Sequence, residues 1–85
     1  MSIQVLHDGK SVQLSTLSVE FSRLKAVCRK QKIQFKAAVS TSFGVADITV
    51  KECQRLIQTC EVGYAAFTVQ QSSGELTFIL EYTAD

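Results

Sequence analysis

The sequence contains no proline, a single histidine and only four glycines in 85 residues. Without proline, no kink or rigid turn can be assigned to that residue. Gly44, Gly63 and Gly74 are isolated turn or cap glycines, so we expect no phosphate-cradling loop. No apolar run approaches the roughly 18 residues of a membrane-spanning helix. We therefore predict neither a nucleotide-binding loop nor a membrane partner.

The three cysteines are odd in number and show no C-x-x-C spacing. A secreted domain of this size usually carries paired cysteines, so we expect a reducing, cytoplasmic location. Cys28, Cys53 and Cys60 fall on apolar helical stripes, which predicts buried structural thiols. Zinc needs about four ligands at motif-like spacing, and only His7 is available besides the cysteines. We expect no metal, no cofactor and no enzymatic activity.

The formal net charge of +1 hides an uneven distribution. Residues 1–36 contain seven basic and two acidic side chains, a net charge of +5. Residues 37–85 contain two basic and six acidic side chains, a net charge of −4. This asymmetry is the most unusual feature of the composition, and it favours oriented association with a partner.

The apolar periodicity predicts a single α+β domain over residues 1–85, with two helices packed on an antiparallel sheet in the order ββαββαββ. Alternating residues at 3–5 and 12–14 predict two strands joined by a tight turn at Asp8-Gly9. An apolar stripe over 17–30 predicts the first helix, with Ser15 or Thr16 as its N-cap.

The second half of the chain contains the best-marked helix. Thr49 and Glu52 have the spacing of a capping box, in which the Thr49 hydroxyl accepts from the Glu52 amide. Gly63 is a candidate left-handed residue at the end of that helix. Two apolar strands around a turn at residues 71–74 predict a closing hairpin.

A short internal repeat accompanies this order. Arg23-Leu24, Cys28 and Phe35 recur 32 residues later as Arg55-Leu56, Cys60 and Phe67. One interpretation is a pseudo-twofold domain of two β-α-β units. The other is a chance likeness between two passages from an amphipathic helix to a strand.

The basic residues between positions 23 and 36 are the candidate binding site. They are Arg23, Lys25, Arg29, Lys30, Lys32 and Lys36. Helical spacing puts Lys25 and Arg29 on one flank of the first helix, with Arg23 and Lys30 on the other. Lys32 and Lys36 are predicted on the exposed face of the next strand. Such a segment can be a solvated surface, a protein contact or a track for phosphates.

We expect a small non-enzymatic binding or regulatory module that acts through protein–protein contacts. Its size and charge profile are similar to those of small inhibitor proteins of phages and mobile elements. The alternative is a nucleic-acid-binding domain that uses residues 23–36, although no exposed aromatic residues are interleaved there for base stacking. An open sheet also has two edges, so a homodimer through a sheet edge is a further partner hypothesis.

Overall fold

In the part of the chain that the structure describes, two helices and five strands follow one another in the order β-α-β-β-α-β-β. The computed structural model describes residues 4–59 and 64–81. The elements are β1 (Gln4–Gln13), α1 (Leu14–Gln31), β2 (Gln34–Thr41), β3 (Gly44–Ile48), α2 (Val50–Thr59), β4 (Tyr64–Ser72) and β5 (Glu75–Glu81). The predicted α+β class, with two helices against a sheet, is confirmed.

The five strands form one mixed sheet in the order β1-β4-β5-β2-β3. Three of the strand pairs are antiparallel, whereas β2 and β5 run parallel. The prediction of a wholly antiparallel sheet was therefore wrong. The reason lies in the connections, because α1 returns the chain so that β2 runs in the direction of β1. The closing hairpin then turns β5 into the same direction, beside β2.

The predicted hairpin at Asp8-Gly9 was also wrong. Both of its expected strands overlap β1, which pairs with β4 from Gln4 to Gln13. The pairing shifts register between Val5 and His7 and again between Asp8 and Ser11. The Asp-Gly step thus lies at an irregularity in a long strand, where an extra residue is absorbed as in a β-bulge. Long-range pairing with β4 overrides the local turn signal, and the described residues form five strands where six were predicted.

The strand pairing repeats with the same 32-residue offset as the sequence. Ala37 of β2 and Val69 of β4 both lie opposite Phe78 in the central strand β5. Phe35 and Phe67 lie opposite Leu76 and Leu80, at equal distances along β5 on either side of Phe78. Each helix also joins two parallel strands that have two other strands between them. The two β-α-β units are therefore related by an approximate twofold axis through Phe78, and α1 and α2 run in opposite directions.

A single hydrophobic core lies between the helices and one face of the sheet. The apolar stripe of α1 is buried as predicted, and α2 contributes two buried side chains. These helix residues are Leu17, Phe21, Leu24, Cys28, Cys53 and Ile57. The ring of Phe78 is completely buried and lies between Phe21, at a ring-centroid distance of 5.1 Å, and Phe67, at 4.9 Å.

The ends of α1 differ from the prediction. The helix begins at Leu14, directly after β1, and its N-cap Gln13 makes no side-chain capping hydrogen bond. Ser15 and Thr16 consequently lie inside the first turn, so neither caps the helix. At the other end Lys32 adopts a left-handed conformation with φ 58°. The Ile33 amide donates to the Cys28 carbonyl at 3.0 Å, as in a Schellman ending.

The start of α2 follows the sequence prediction. The Glu52 amide donates to the Thr49 hydroxyl over 3.0 Å, which is the first bond of the predicted capping box. Gly63, the predicted end of this helix, lies outside the described residues. The closing hairpin is confirmed, with a turn between Ser72 and Glu75. Gly74 in that turn has φ +80°, a conformation that glycine adopts without steric cost.

Candidate docking surface

The antiparallel helices leave an open groove between them, which we call the interhelix groove. It has a volume of about 520 Å³ and combines charged, polar and apolar side chains. Its lining residues are Lys25, Cys28, Arg29, Ile33, Phe35, Val50, Lys51 and Gln54. A smaller cavity of about 240 Å³, lined by Phe21, Ser22 and Ala26, shares Lys25, Arg29 and Gln54 with it. The groove therefore continues along α1.

The cationic residues of the groove come from both helices. Lys25 and Arg29 are four residues apart on α1, so they project from the same flank, about 6 Å apart along the helix axis. Lys51 lies in the first turn of α2, which begins at the Thr49 cap. The Cys53 amide donates to the Thr49 carbonyl at 3.0 Å and closes that turn. These bonds to Thr49 hold the backbone of the turn from which Lys51 projects.

The floor of the groove is apolar. Ile33, Phe35 and Val50 are half-buried and pack against the core while part of each side chain faces the groove. The ring of Phe35 makes an edge-on contact with Phe21, with the ring centroids 5.4 Å apart. This contact holds the Phe35 ring against the core, and the rest of the ring faces the groove.

The charge of the groove has one sign. Among the residues that the structure describes, neither the groove nor its continuation is lined by an acidic side chain. In that part of the chain, no carboxylate lies at ion-pair distance from Lys25, Arg29 or Lys51. Three exposed cations therefore surround the apolar floor, and no acidic side chain among the described lining residues neutralises them.

Two other residues of the predicted basic site lie elsewhere and have acidic neighbours. Arg23 projects from the opposite flank of α1 and pairs with Glu20, with the Nη2 and Oε2 atoms 2.6 Å apart. The hydrogen bond that Arg23 donates to Glu20, together with the charge of that carboxylate, raises the pKa of Arg23. Lys36 lies on the face of β2 that points away from the helices, with its Nζ atom 3.9 Å from Glu75 Oε2. These two side chains do not contribute to the groove.

Lys30 and Lys32 are exposed at the end of α1. Lys32 was predicted on the strand, but β2 begins only at Gln34, and Lys32 is the left-handed residue that ends the helix. The structure therefore brings Lys25 and Arg29 together in the groove and places Arg23 and Lys36 on other surfaces. Lys30 and Lys32 lie beside Arg29 at the end of α1 but do not line the groove. Lys51 and Gln54 are the lining residues that the sequence prediction missed. The sequence pattern that could have indicated them is their three-residue spacing, which puts both on one flank of the buried stripe of α2.

The two described thiols are buried and free. Removal from water raises the pKa of Cys28, which lies under the groove, and raises that of Cys53 to about 12. Burial disfavours the thiolate, which is the reactive form of cysteine. The predicted burial is confirmed for these two thiols, whereas Cys60 lies outside the described part of the chain.

The sheet has two edge strands, β1 and β3. Strand β3 is exposed over most of its length. Phe43, in the turn before it, is 98% exposed, and Val45 is 61% exposed. A strand edge with apolar side chains beside it can pair with another chain.

Three further observations concern function classes. Within residues 4–59 and 64–81, no three histidine, cysteine or acidic side chains form a group that could hold a metal ion. In the same ranges, no helix combines the length and the apolar character needed to cross a membrane. No protein-family model, curated protein or solved structure matches this chain.

Proposed function

We propose that this domain is a non-enzymatic binding or regulatory module that docks on a protein partner through the interhelix groove. The observation that carries the proposal is the convergence of Lys25, Arg29 and Lys51 around an apolar floor. An apolar centre with a charged rim is the usual arrangement of a protein interface. The cations orient and accelerate association with an acidic surface, while apolar burial supplies affinity.

Nucleic-acid binding through residues 23–36 is the alternative proposal. Its support is the exposed pair Lys30 and Lys32, close to Arg29 at the end of α1. Against it, Arg23 is neutralised by Glu20, and Lys36 lies on the far side of the sheet. The three cations of the groove flank an apolar floor, which a phosphate backbone would leave uncovered. We therefore favour the protein partner.

The proposal is tested with two charge-reversed variants of the purified domain. Lys25→Glu with Arg29→Glu reverses the groove, and Lys32→Glu with Lys36→Glu makes the same change in net charge outside it. A partner is cross-linked to the wild-type domain in native cell extract, identified, purified and titrated against all three proteins. We expect the groove variant to lose binding and the matched control to keep it.

Random DNA and RNA are titrated in parallel over a range of salt concentrations. Salt-sensitive micromolar binding that is lost in the variant with Lys32→Glu and Lys36→Glu would support the nucleic-acid alternative and overturn the protein proposal. Equal binding of the protein partner by both charge-reversed variants would also overturn it, because the groove would then not be the contact.

Self-association through β3 is a second candidate, favoured by the exposed Phe43 and Val45 beside an unpaired strand edge. Pairing of two β3 strands would form a continuous sheet with twofold symmetry. Sedimentation velocity over a range of concentrations measures the dimer. Val45→Lys places a charge on the edge and should abolish the dimer, whereas Val19→Lys changes an equally exposed valine on α1 and should not. A concentration-independent monomer for the wild type would contradict this candidate.

We further propose that the domain works in a reducing compartment such as the cytoplasm. The two free, buried thiols support this placement. Fractionation of the native cells, followed by detection with an antibody, is the direct measurement. Recovery of the protein outside the cytoplasmic fraction would contradict the proposal.

A further inference from the structure

The chemistry of the interhelix groove also specifies its occupant. We infer that it receives a short acidic segment of the partner protein, in which one large apolar side chain has carboxylates on both sides. The inference rests on the proposed function and adds the recognition chemistry to it.

The apolar side chain is required by the floor. Ile33 and Phe35 come from the chain after α1, and Val50 is the first residue of α2. All three are only half-buried, although they pack against the core. Covering their remaining exposed surface with an aliphatic or aromatic side chain removes apolar area from water on both partners. A ligand of charged groups alone would leave this floor uncovered.

The carboxylates are required by the walls. Lys25 and Arg29 lie on the α1 side of the floor, and Lys51 lies on the α2 side. An apolar side chain on the floor therefore has a cation on each side, and its sequence neighbours reach them best if they are Asp or Glu. Arg29 can bind a carboxylate with two parallel hydrogen bonds, whereas the lysines act as point charges. Gln54 adds a neutral donor and acceptor on the α2 wall.

The size of the groove favours a segment over a flat surface. About 520 Å³ falls within the range of pockets that hold ligands of a few hundred daltons. That is room for one anchoring side chain and the backbone around it. Continuation past Ser22 and Ala26 on α1 gives the segment a direction in which to leave the groove.

Fluorescence anisotropy with synthetic peptides tests this inference. The first peptide has a central leucine flanked on each side by two glutamates, with serine and glycine elsewhere. The second replaces the leucine with alanine, and the third replaces the glutamates with glutamines. We expect the first peptide to bind best, with a loss of about tenfold or more for each change, which corresponds to about 1.4 kcal/mol.

Protein variants identify where the peptide binds. Arg29→Glu and Lys51→Glu should each weaken the first peptide about tenfold, while Lys30→Glu, the same charge reversal outside the groove, should change it less than about twofold. Val50→Ala should weaken binding of the leucine peptide more than that of the alanine peptide. Leu56→Ala, at another half-buried position of α2 that does not line the groove, should change the binding of each peptide less than about twofold. Circular dichroism confirms that each variant is folded.

The outcomes separate this inference from the proposed function. If none of the peptides binds, or if all bind equally, the inference is overturned. The proposed function still stands in that case if the identified partner remains sensitive to Lys25→Glu with Arg29→Glu. If a random oligonucleotide competes with the first peptide and binds more tightly, the inference is overturned in favour of a phosphate ligand.

Discussion

Phe67 and Phe78 stack with their ring centroids 4.9 Å apart and their planes within 11° of parallel. Phe21 of α1 meets the same Phe78 ring edge-on, at 88°. Phe78 also lies on the approximate twofold axis of the sheet, where β2 and β4 pair with β5 on either side. The Phe78 side chain therefore contacts the first helix at the point where the two β-α-β units meet in the sheet.

Replacement of Phe78 by alanine should remove most of the stability of the domain. Truncating a fully buried phenylalanine costs about 3–5 kcal/mol through lost apolar burial and the cavity that remains. A small domain has a total of only about 5–15 kcal/mol. Urea unfolding followed by circular dichroism gives the change in the free energy of unfolding.

Phe43→Ala is the matched control for this experiment. The Phe43 ring is 98% exposed, so its removal should change the free energy of unfolding by less than about 0.5 kcal/mol. Equal losses for the two variants would contradict the position of Phe78 at the centre of the core.

The capping of α2 gives the second prediction. Thr49→Ala removes the acceptor of the Glu52 amide and should cost about 0.5–2 kcal/mol, whereas Thr49→Ser keeps the hydroxyl and should cost less. Thermal unfolding of the three proteins measures the order. The same cap fixes the first turn that carries Lys51, so Thr49→Ala should also weaken partner binding. Unchanged stability in Thr49→Ala would show that the hydroxyl is not the effective cap.

The local signals in the sequence were reliable where their partners are close along the chain. The bond between Thr49 and Glu52 spans three residues, and the closing hairpin forms between neighbouring strands, so both were predicted. Asp8-Gly9 has an equally strong local signal, yet the strand continues through it. The stabilising pairing there is with β4, more than fifty residues away, and no local pattern encodes that contact.

The candidate site was predicted in part for the same reason. Lys25 and Arg29 share a helix flank because they are four residues apart, and this spacing can be read from the sequence. The proximity of Lys51 to them depends on the packing of α2 beside α1, which depends on the sheet order. Lys36 lies away from them because its side chain is on the face of the sheet that the helices do not cover. The sequence pattern does not indicate which face of the sheet the helices cover.

The left-handed residue at the end of α1 gives the third prediction. Lys32 has φ 58°, where a side chain is disfavoured and glycine is not. Lys32→Gly should therefore stabilise the domain. The greater conformational freedom of glycine in the unfolded chain offsets part of this gain, which leaves a net stabilisation of about 0.5–1 kcal/mol. Lys30→Gly, two residues earlier and still helical, should destabilise it by a similar amount. Urea titration checks both, and a loss of stability in Lys32→Gly would contradict the helix ending described here.

Buried thiols give the last prediction, which concerns pH. Burial raises the pKa of Cys53 to about 12, whereas an unfolded cysteine titrates near 9. Between these values the unfolded chain loses the proton and the folded domain keeps it. The folded state therefore binds more protons, and its stability falls as pH rises through this window, by at most about 1.4 kcal/mol per pH unit from this group. Below about pH 8 the group should have no effect on the pH dependence.

Comparison with Cys53→Ala isolates this contribution from that of the other groups in the domain. The Cys53→Ala variant is less stable at neutral pH because the substitution leaves a cavity. Between about pH 9 and pH 11, however, the stability of the variant should fall less steeply than that of the wild type. Urea unfolding at a series of pH values gives the two slopes. Some slope should remain in the variant, because burial also raises the pKa of Cys28. Parallel curves for the two proteins would mean that the Cys53 thiol ionises as readily in the folded domain as in the unfolded chain.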